Sequence, residues 1–271
     1  MKSDTKLLLV GCGKMGGALL QRVAAHMTVC VVDPASTASP LTSLPGVSWL
    51  ASANAIDPGF TPDIIVLAIK PQHMQSTLPS YAHFKTSVFL SIAAGVPMAS
   101  MEALLNNKTI AVVRSMPNLP ASIGQGISVA VANKNVSAAQ RTLCDALLKS
   151  VGETVWMDDE KQLDAVTALS GSGPAYVFAL CEAMAKAGET LGLPAAMAAK
   201  LARQTVIGCG ALLAQSSESA EALRVAVTSP GGTTEAALKK LLAENGLPDI
   251  ILKTMTAALQ RAQELAKPAS H

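Results

Sequence analysis

Leu7-Leu8-Leu9-Val10-Gly11-Cys12-Gly13-Lys14-Met15-Gly16-Gly17-Ala18-Leu19-Leu20 begins with four apolar residues in a row and then sets glycines in a GxGxxG pattern. The apolar run reads as a strand buried on both faces, and the glycines stand where that strand must turn sharply into a helix. Gly11 permits the tight turn, Gly13 lets a pyrophosphate approach the backbone, and Gly16 lets the new helix pack closely on the strand. The N–H groups that open the helix, aided by its dipole, then hold the phosphates. Glycine-rich turns also arise for purely structural reasons, so the surroundings decide. The predicted helix runs from Met15 to Val23, and a second apolar strand, Val29-Cys30-Val31-Val32, ends in Asp33, 20 residues past Gly13. An acidic residue there accepts hydrogen bonds from the adenosine ribose hydroxyls, and the whole stretch reads as a dinucleotide fingerprint.

With 271 residues the chain has room for one large domain or two ordinary ones. Half of the residues are hydrophobic (50%) and only 15% are charged, the balance of a packed protein and not of a disordered one. A mean hydropathy of +0.37 is high for a monomer and points to apolar surface covered by another subunit. The net charge is +2 with no cluster of Lys and Arg, which argues against a nucleic-acid or membrane-binding face. A charged start running straight into the first strand, and the lack of an apolar run of membrane length, predict a cytoplasmic protein. Cys12, Cys30, Cys144, Cys181 and Cys209 show no CxxC and no histidine at ligand spacing, so no metal is expected and most read as small buried hydrophobes.

Downstream of Asp33, Pro34-Ala35-Ser36-Thr37-Ala38-Ser39-Pro40 is a polar turn without a cation, which favours NADH over NADPH. A short strand at Val47 to Leu50 precedes Asn54. Asp63 to Pro71 reads as a buried strand that delivers Lys70 at its C-terminal end, the end at which open α/β sheets bind ligands. Further strands are predicted over Val88 to Ser91, Ile110 to Arg114, Ile127 to Ala132 and Glu153 to Met157, with helical stretches at Met98 to Leu105 and Ala138 to Lys149. Two prolines around Asn118 set a rigid loop at the same sheet edge. This alternation predicts a doubly wound, Rossmann-type α/β domain over residues 1–158. From 159 to 271 alanine and leucine at helical spacing predict an all-α domain of four to six helices. Asp158, Asp159 and Glu160 suit a first helical turn better than a metal site. Pro174, Pro194 and Pro248 stand where helices begin, and Asn245-Gly246 where one stops.

Two motifs interrupt the helical half. Ala168-Leu169-Ser170-Gly171-Ser172-Gly173-Pro174-Ala175-Tyr176 puts hydroxyls and glycines between helices, and Thr228-Ser229-Pro230-Gly231-Gly232-Thr233-Thr234 opens a further helix. A helix start with glycine N–H groups flanked by hydroxyls suits a carboxylate. Together with Gly11 to Gly16, Ala68-Ile69-Lys70-Pro71-Gln72 and Arg114-Ser115-Met116-Pro117-Asn118, these motifs resemble the pyrroline-5-carboxylate reductases over nearly the whole chain. The resemblance implies reduction of Δ1-pyrroline-5-carboxylate to L-proline with NADPH or NADH, the last step of proline synthesis. It implies cofactor contacts at Val10, Gly11, Cys12, Gly13, Lys14, Met15, Asn54, Ala68, Ile69, Lys70, Pro71, Ile92, Ala93 and Ala94, to which the reading of the residues themselves adds Gly16, Asp33 and Asn118. It implies substrate contacts at Thr233 and Thr234, with Thr234 near the ring nitrogen, and the two glycine and hydroxyl motifs add Ser170, Ser172, Gly231 and Gly232 as expected substrate positions. It implies a homodimer through the helical domain, with assembly into a decamer as a further step.

The chemistry suits these residues. A cyclic imine is largely protonated near neutral pH and accepts hydride without a strong general acid, so His26, His73, His83 and His271, which fall in no motif, are not needed as catalysts. Thr234 and Lys70 are the candidate catalytic side chains, acting through orientation at near-attack distance. Asp33, Val225 and Ala226 depart from the residues that relatives often carry, and Glu218 is a candidate substrate neighbour. Two other readings predict different behaviour. A β-hydroxyacid dehydrogenase would need a catalytic lysine on the helix after Gly173, where the first lysine is Lys186. A regulatory dinucleotide-binding protein would bind cofactor without turnover.

Overall fold

The computed structural model describes residues 4–35 and 40–266. Residues 36–39 of the cation-free turn after Asp33 and the C-terminal His271 therefore lie outside the described residues. The strands are β1 (Lys6–Val10), β2 (Thr28–Val32), β3 (Val47–Leu50), β4 (Ile64–Leu67), β5 (Val88–Ser91), β6 (Ala111–Met116), β7 (Gly126–Ala132) and β8 (Gly152–Trp156). They form one sheet in the order β3-β2-β1-β4-β5-β6-β7-β8. The chain winds outward from β1 in one direction and then from β4 in the other, so β1 and β4 flank a topological switch point. Each pair is parallel except β6 with β7, where Arg114 stands opposite Val131. Only the short turn Leu119–Ile123, closed by Gly124 at φ +76°, joins those two strands. A parallel return needs a longer crossover.

Alternation along the strands feeds two cores, one on each face of the sheet. Leu7, Leu9, Val29, Val31 and Val66 meet Leu19, Leu20 and Val23 of α1 (Lys14–Val23) on one face. Leu8, Val10, Val32, Ile65 and Phe89 meet Met74, Leu78 and Tyr81 on the other. Met74 lies in α2 (Met74–Thr77), and α3 (Met98–Leu104) adds Met101 to the same side. α4 (Ala138–Lys149) covers the first face with Leu147 and Leu148 and starts at a capping box in which Ser137 and Gln140 bond each other's backbone. These strand residues are almost wholly buried, each contributing about 1.5–3 kcal/mol.

The helical part comprises α5 (Leu163–Val166), a π turn over Thr167–Gly171, α6 (Gly173–Thr190), α7 (Ala195–Gln215), α8 (Ala220–Ala226), α9 (Thr233–Leu241) and α10 (Leu247–Ala266). Helical structure sets in where composition predicts it, but the compact units divide at Gly171 and Ser172. The first unit runs to Gly171 and includes the chain from Leu259, and the second holds Ser172–Ala258. Packing explains the offset from 158/159. Leu163 and Ala168 are buried in the first unit, and the Glu160 carboxylate lies 2.5 Å from Arg114 Nη1 at the end of β6. The same carboxylate accepts the Met98 N–H at 2.8 Å, tying in the start of α3. Asp159 caps the turn by accepting the Lys161 N–H, so Asp159 and Glu160 are engaged at helix starts and in an ion pair. No metal-binding cluster of His, Cys, Asp and Glu occurs among the described residues.

The second unit has little core of its own. Of its residues only Ala198 and Ala202 are buried, while Phe178, Ile207 and Leu212 are more than half exposed. α6 and α7 cross through small residues, with Gly188 against Ala198. The expectation for the cysteines needs correction for the same reason. Cys30 and Cys144 are buried, but Cys12 and Cys181 are half-buried and Cys209 on α7 is exposed. Among the described residues no helix is long and apolar enough to cross a membrane.

Candidate active site

The GxGxxG stretch folds as the strand–turn–helix its spacing predicts. Gly11 follows β1 at φ +85°, a conformation that L side chains rarely adopt. A Cβ at Gly16 would stand 2.5 Å from the Gly11 carbonyl oxygen, so α1 packs onto the turn only with glycine there. A Cβ at Gly13 would meet nothing within 4 Å. That bare, open backbone at the N-cap of α1 is the cradle a pyrophosphate requires, and the residues present fit a dinucleotide.

The cradle opens onto a groove of about 650 Å³ across the C-terminal ends of β1, β2 and β4. Val10, Gly11, Cys12, Gly13, Asp33, Ala68, Ile69 and Lys70, all named above as cofactor positions, line it. Asp33 is held in place by the backbone. Its Oδ2 accepts the Cys12 N–H at 2.6 Å and its Oδ1 accepts the Ala35 N–H at 2.8 Å. Burial, and then the Asp33 carboxylate, push the Cys12 thiol up to about 11, so it stays protonated. Tyr81 at the groove floor is raised to about 12, by burial and then by Cys30, and remains a neutral phenol.

Other expected positions stand outside this groove. Lys14, Met15 and Gly16 belong to the first turn of α1, and Pro71 follows Lys70 into the next turn. Asn54 is exposed beside the lining residue Ala53. Ile92, Ala93 and Ala94 follow β5, beyond the β4 wall of the groove. Asn118 has a structural partner, since its Oδ1 accepts the Ile127 N–H at 3.0 Å and so positions β7. Sequence reasoning missed the wall supplied by His73, Ser76, Thr77 and Ser80. Their three- and four-residue spacing, out of phase with buried Met74, Leu78 and Tyr81, was the available signal.

The two helical motifs differ from expectation in detail. Ser170 and Gly171 do not form an interhelical loop but lie in the π turn, where Ser170 Oγ donates to the Val166 carbonyl at 3.1 Å. A Cβ at Gly171 would meet the terminal methyl of Met116, the flexible end of a side chain that can move aside. Ser172 is the N-cap of α6, with Pro174 in the first turn. In the second motif the glycine amides are already engaged. Gly231 N–H donates to Glu235 Oε2 at 2.7 Å, and Gly232 N–H to the Ser229 carbonyl at 3.0 Å. Glu235, in the first turn of α9, reaches back to the residue before the N-cap Gly232, so the two amides expected to clamp a ligand have partners within the chain. The backbone N–H groups of Thr233 and Thr234, in the first turn of α9, have no intrahelical acceptor. Glu218 is exposed, and its N–H is held by Ser216 Oγ. Lys186 is exposed beside Glu189 at 3.4 Å, so α6 offers no buried ammonium of the hydroxyacid-dehydrogenase kind.

A parallel sheet with a switch point, a glycine cradle and an acidic residue closing the second strand define a dinucleotide-dependent oxidoreductase. A family model described as pyrroline-5-carboxylate reductase dimerisation matches residues 160–265, and one described as NADP oxidoreductase coenzyme F420-dependent matches residues 6–95. The pyrroline-5-carboxylate reductase of Pseudomonas aeruginosa is 47% identical over 207 residues, 76% of this chain and 75% of that one. The solved structure of the Coxiella burnetii reductase superposes with a TM-score of 0.89 at 32% identity, covering 98% of this chain and all (100%) of the other. That of Plasmodium falciparum, with NADP bound, gives 0.84 at 26% identity over 98% of this chain and 100% of its own. The chain belongs to the pyrroline-5-carboxylate reductase family.

Proposed function

We propose that this chain reduces Δ1-pyrroline-5-carboxylate to L-proline with NADPH or NADH, closing proline synthesis. The observation that carries the reading is the glycine cradle and groove, present in a chain that matches the family's reductases across both halves. Bound reduced nicotinamide supplies a hydride. The chain's own residues bind and orient. The amides of Gly13 to Met15 at the start of α1 receive the pyrophosphate, and Lys70, exposed at the groove wall, adds positive charge. Because the Gly231 and Gly232 amides are engaged, the substrate carboxylate falls to the amides of Thr233 and Thr234. Thr234 Oγ1 orients the ring nitrogen. Ser170 and Ser172 belong to the same substrate-binding set. Residues 159–271 serve substrate binding and pairing, the dimer is built on them, and a decamer of such dimers works in the cytoplasm. The exposed apolar residues of the second unit support pairing.

The test is loss of reduced-nicotinamide absorbance with pyrroline-5-carboxylate, with proline identified by mass spectrometry. Thr234→Ala should lower kcat/KM about 10- to 100-fold, the loss of one hydrogen bond that orients the reacting group. Dinucleotide binding without any proline would defeat the reading.

A further inference from the structure

We propose that Glu235 is a positioning residue for the substrate: its carboxylate holds the turn before α9 in the setting that leaves the Thr233 and Thr234 amides open to the substrate carboxylate. The inference rests on the assignment of that carboxylate to those two amides. Pro230 followed by Gly231 at φ +72°, with the Gly232 N–H on the Ser229 carbonyl at 3.0 Å, makes a type II β-turn. Both ends of the turn are fastened. Thr228 Oγ1 donates to the Arg224 carbonyl of α8 at 2.6 Å, and the Gly232 carbonyl accepts the Ala236 N–H at 3.2 Å as α9 begins. The peptide between Pro230 and Gly231 is the loose part. Ser229, Pro230 and Gly231 are exposed, and a Cβ on Gly231 would meet nothing within 4 Å among the described residues. Turning that peptide over by about half a turn gives the type I arrangement, and glycine takes the new φ at little cost. What holds it is Glu235, whose Oε2 accepts the Gly231 N–H at 2.7 Å. Its Oε1 lies 3.4 Å from Lys239 Nζ, which offsets the charge brought near a substrate anion.

The setting of this peptide matters because its two polar groups point in opposite directions. As it stands, the Gly231 N–H faces the first turn of α9 and the Pro230 carbonyl faces away. Turned over, the carbonyl oxygen would face that first turn and compete with the substrate for the Thr233 and Thr234 N–H groups, which have no intrahelical acceptor. Glu235 acts only through the turn, so its effect belongs to substrate binding and not to hydride transfer.

The test is steady-state kinetics with pyrroline-5-carboxylate on the native chain, Glu235→Ala and Glu235→Gln. The Glu235 side chain is 38% exposed, so both variants should fold. Glu235→Ala loses the tether and should raise KM about tenfold with kcat within about threefold of native. Glu235→Gln keeps an oxygen acceptor without the charge and should bring KM back to within about threefold of native. Amide hydrogen exchange over residues 227–234, read by mass spectrometry, should quicken in the alanine variant and not in the glutamine variant. Equal KM in all three proteins, or exchange that the alanine variant leaves unchanged, overturns the proposal and makes Glu235 a plain helix cap. A glutamine variant as impaired as the alanine one also overturns it, since the charge and not the tether would then be at work. Native protein that forms no proline removes the proposed reaction and this inference with it, an outcome told apart because all three proteins would then be inactive.

Discussion

At the scale of single residues, Gly13 and Gly16 separate folding from binding within four positions. Gly13→Ala adds a methyl where the protein has empty space, so thermal stability should hardly change, while the methyl occupies the path of the phosphates and NADH binding should weaken at least about tenfold. Gly16→Ala drives its methyl onto the Gly11 carbonyl and should cost about 1–3 kcal/mol of stability. Denaturant unfolding and cofactor titration on the two variants check both statements. If Gly13→Ala lost stability and kept its affinity, the cradle would be purely structural. The glycines were legible from sequence because their constraint is local: a turn, an approach, a crossing, all within six residues. The engagement of Gly231 by Glu235 was less so, although glutamate close behind a helix start is itself a capping signal. That signal lost out to the more conspicuous glycines.

At the scale of elements, the edge of the sheet depends on a contact between α4 and β8. Trp156 Nε1–H donates to Asp145 Oδ1 at 2.9 Å, Lys149 lies 2.8 Å from Oδ2, and the Arg141 guanidinium stands 4.2 Å over the indole. Desolvation pushes the Asp145 carboxyl up, but the hydrogen bonds from Lys149 and Trp156 and the nearby charges outweigh it and hold the group below the usual carboxylate range. The folded chain thus binds fewer protons than the unfolded chain, and the stabilisation is present above the unfolded carboxylate value and lost as pH falls through the folded one. In a Trp49→Phe background, acid titration should show a change in Trp156 emission that Asp145→Asn abolishes. The background is mild because Trp49 Nε1 has no hydrogen-bond partner to lose. An unchanged titration in the asparagine variant would remove Asp145 as the cause. Strands β1 to β6 were legible because buried parallel strands are continuous apolar runs. The antiparallel turn from β6 to β7 was not, since a strand's own residues do not name its neighbour. Nor was the groove wall of His73 to Ser80, where Pro71 and Pro79 mask a helical phase.

At the scale of the whole molecule, the two units stand on different energetic footings. The sheet buries its own apolar residues, whereas α6 and α7 leave Val177, Phe178, Met197, Leu201 and Ile207 exposed on a single chain. Helices of 18 and 21 residues draw most of their stability from packing, so these need a second chain. Phe178→Asp with Ile207→Asp should shift the native mass downward in analytical ultracentrifugation while cofactor binding persists. A mass unaffected by both charges would place the pairing surface elsewhere. The high mean hydropathy hinted at this surplus of apolar surface but could not say which half carried it. The nearly coreless second unit also makes stability a matter of mass action. Its unfolding midpoint should climb with protein concentration, and dilution, more than warming, should loosen the helical unit first while the sheet unit stays intact. Because the paired fraction grows with chain concentration, total activity at low abundance should rise faster than in proportion to the number of chains.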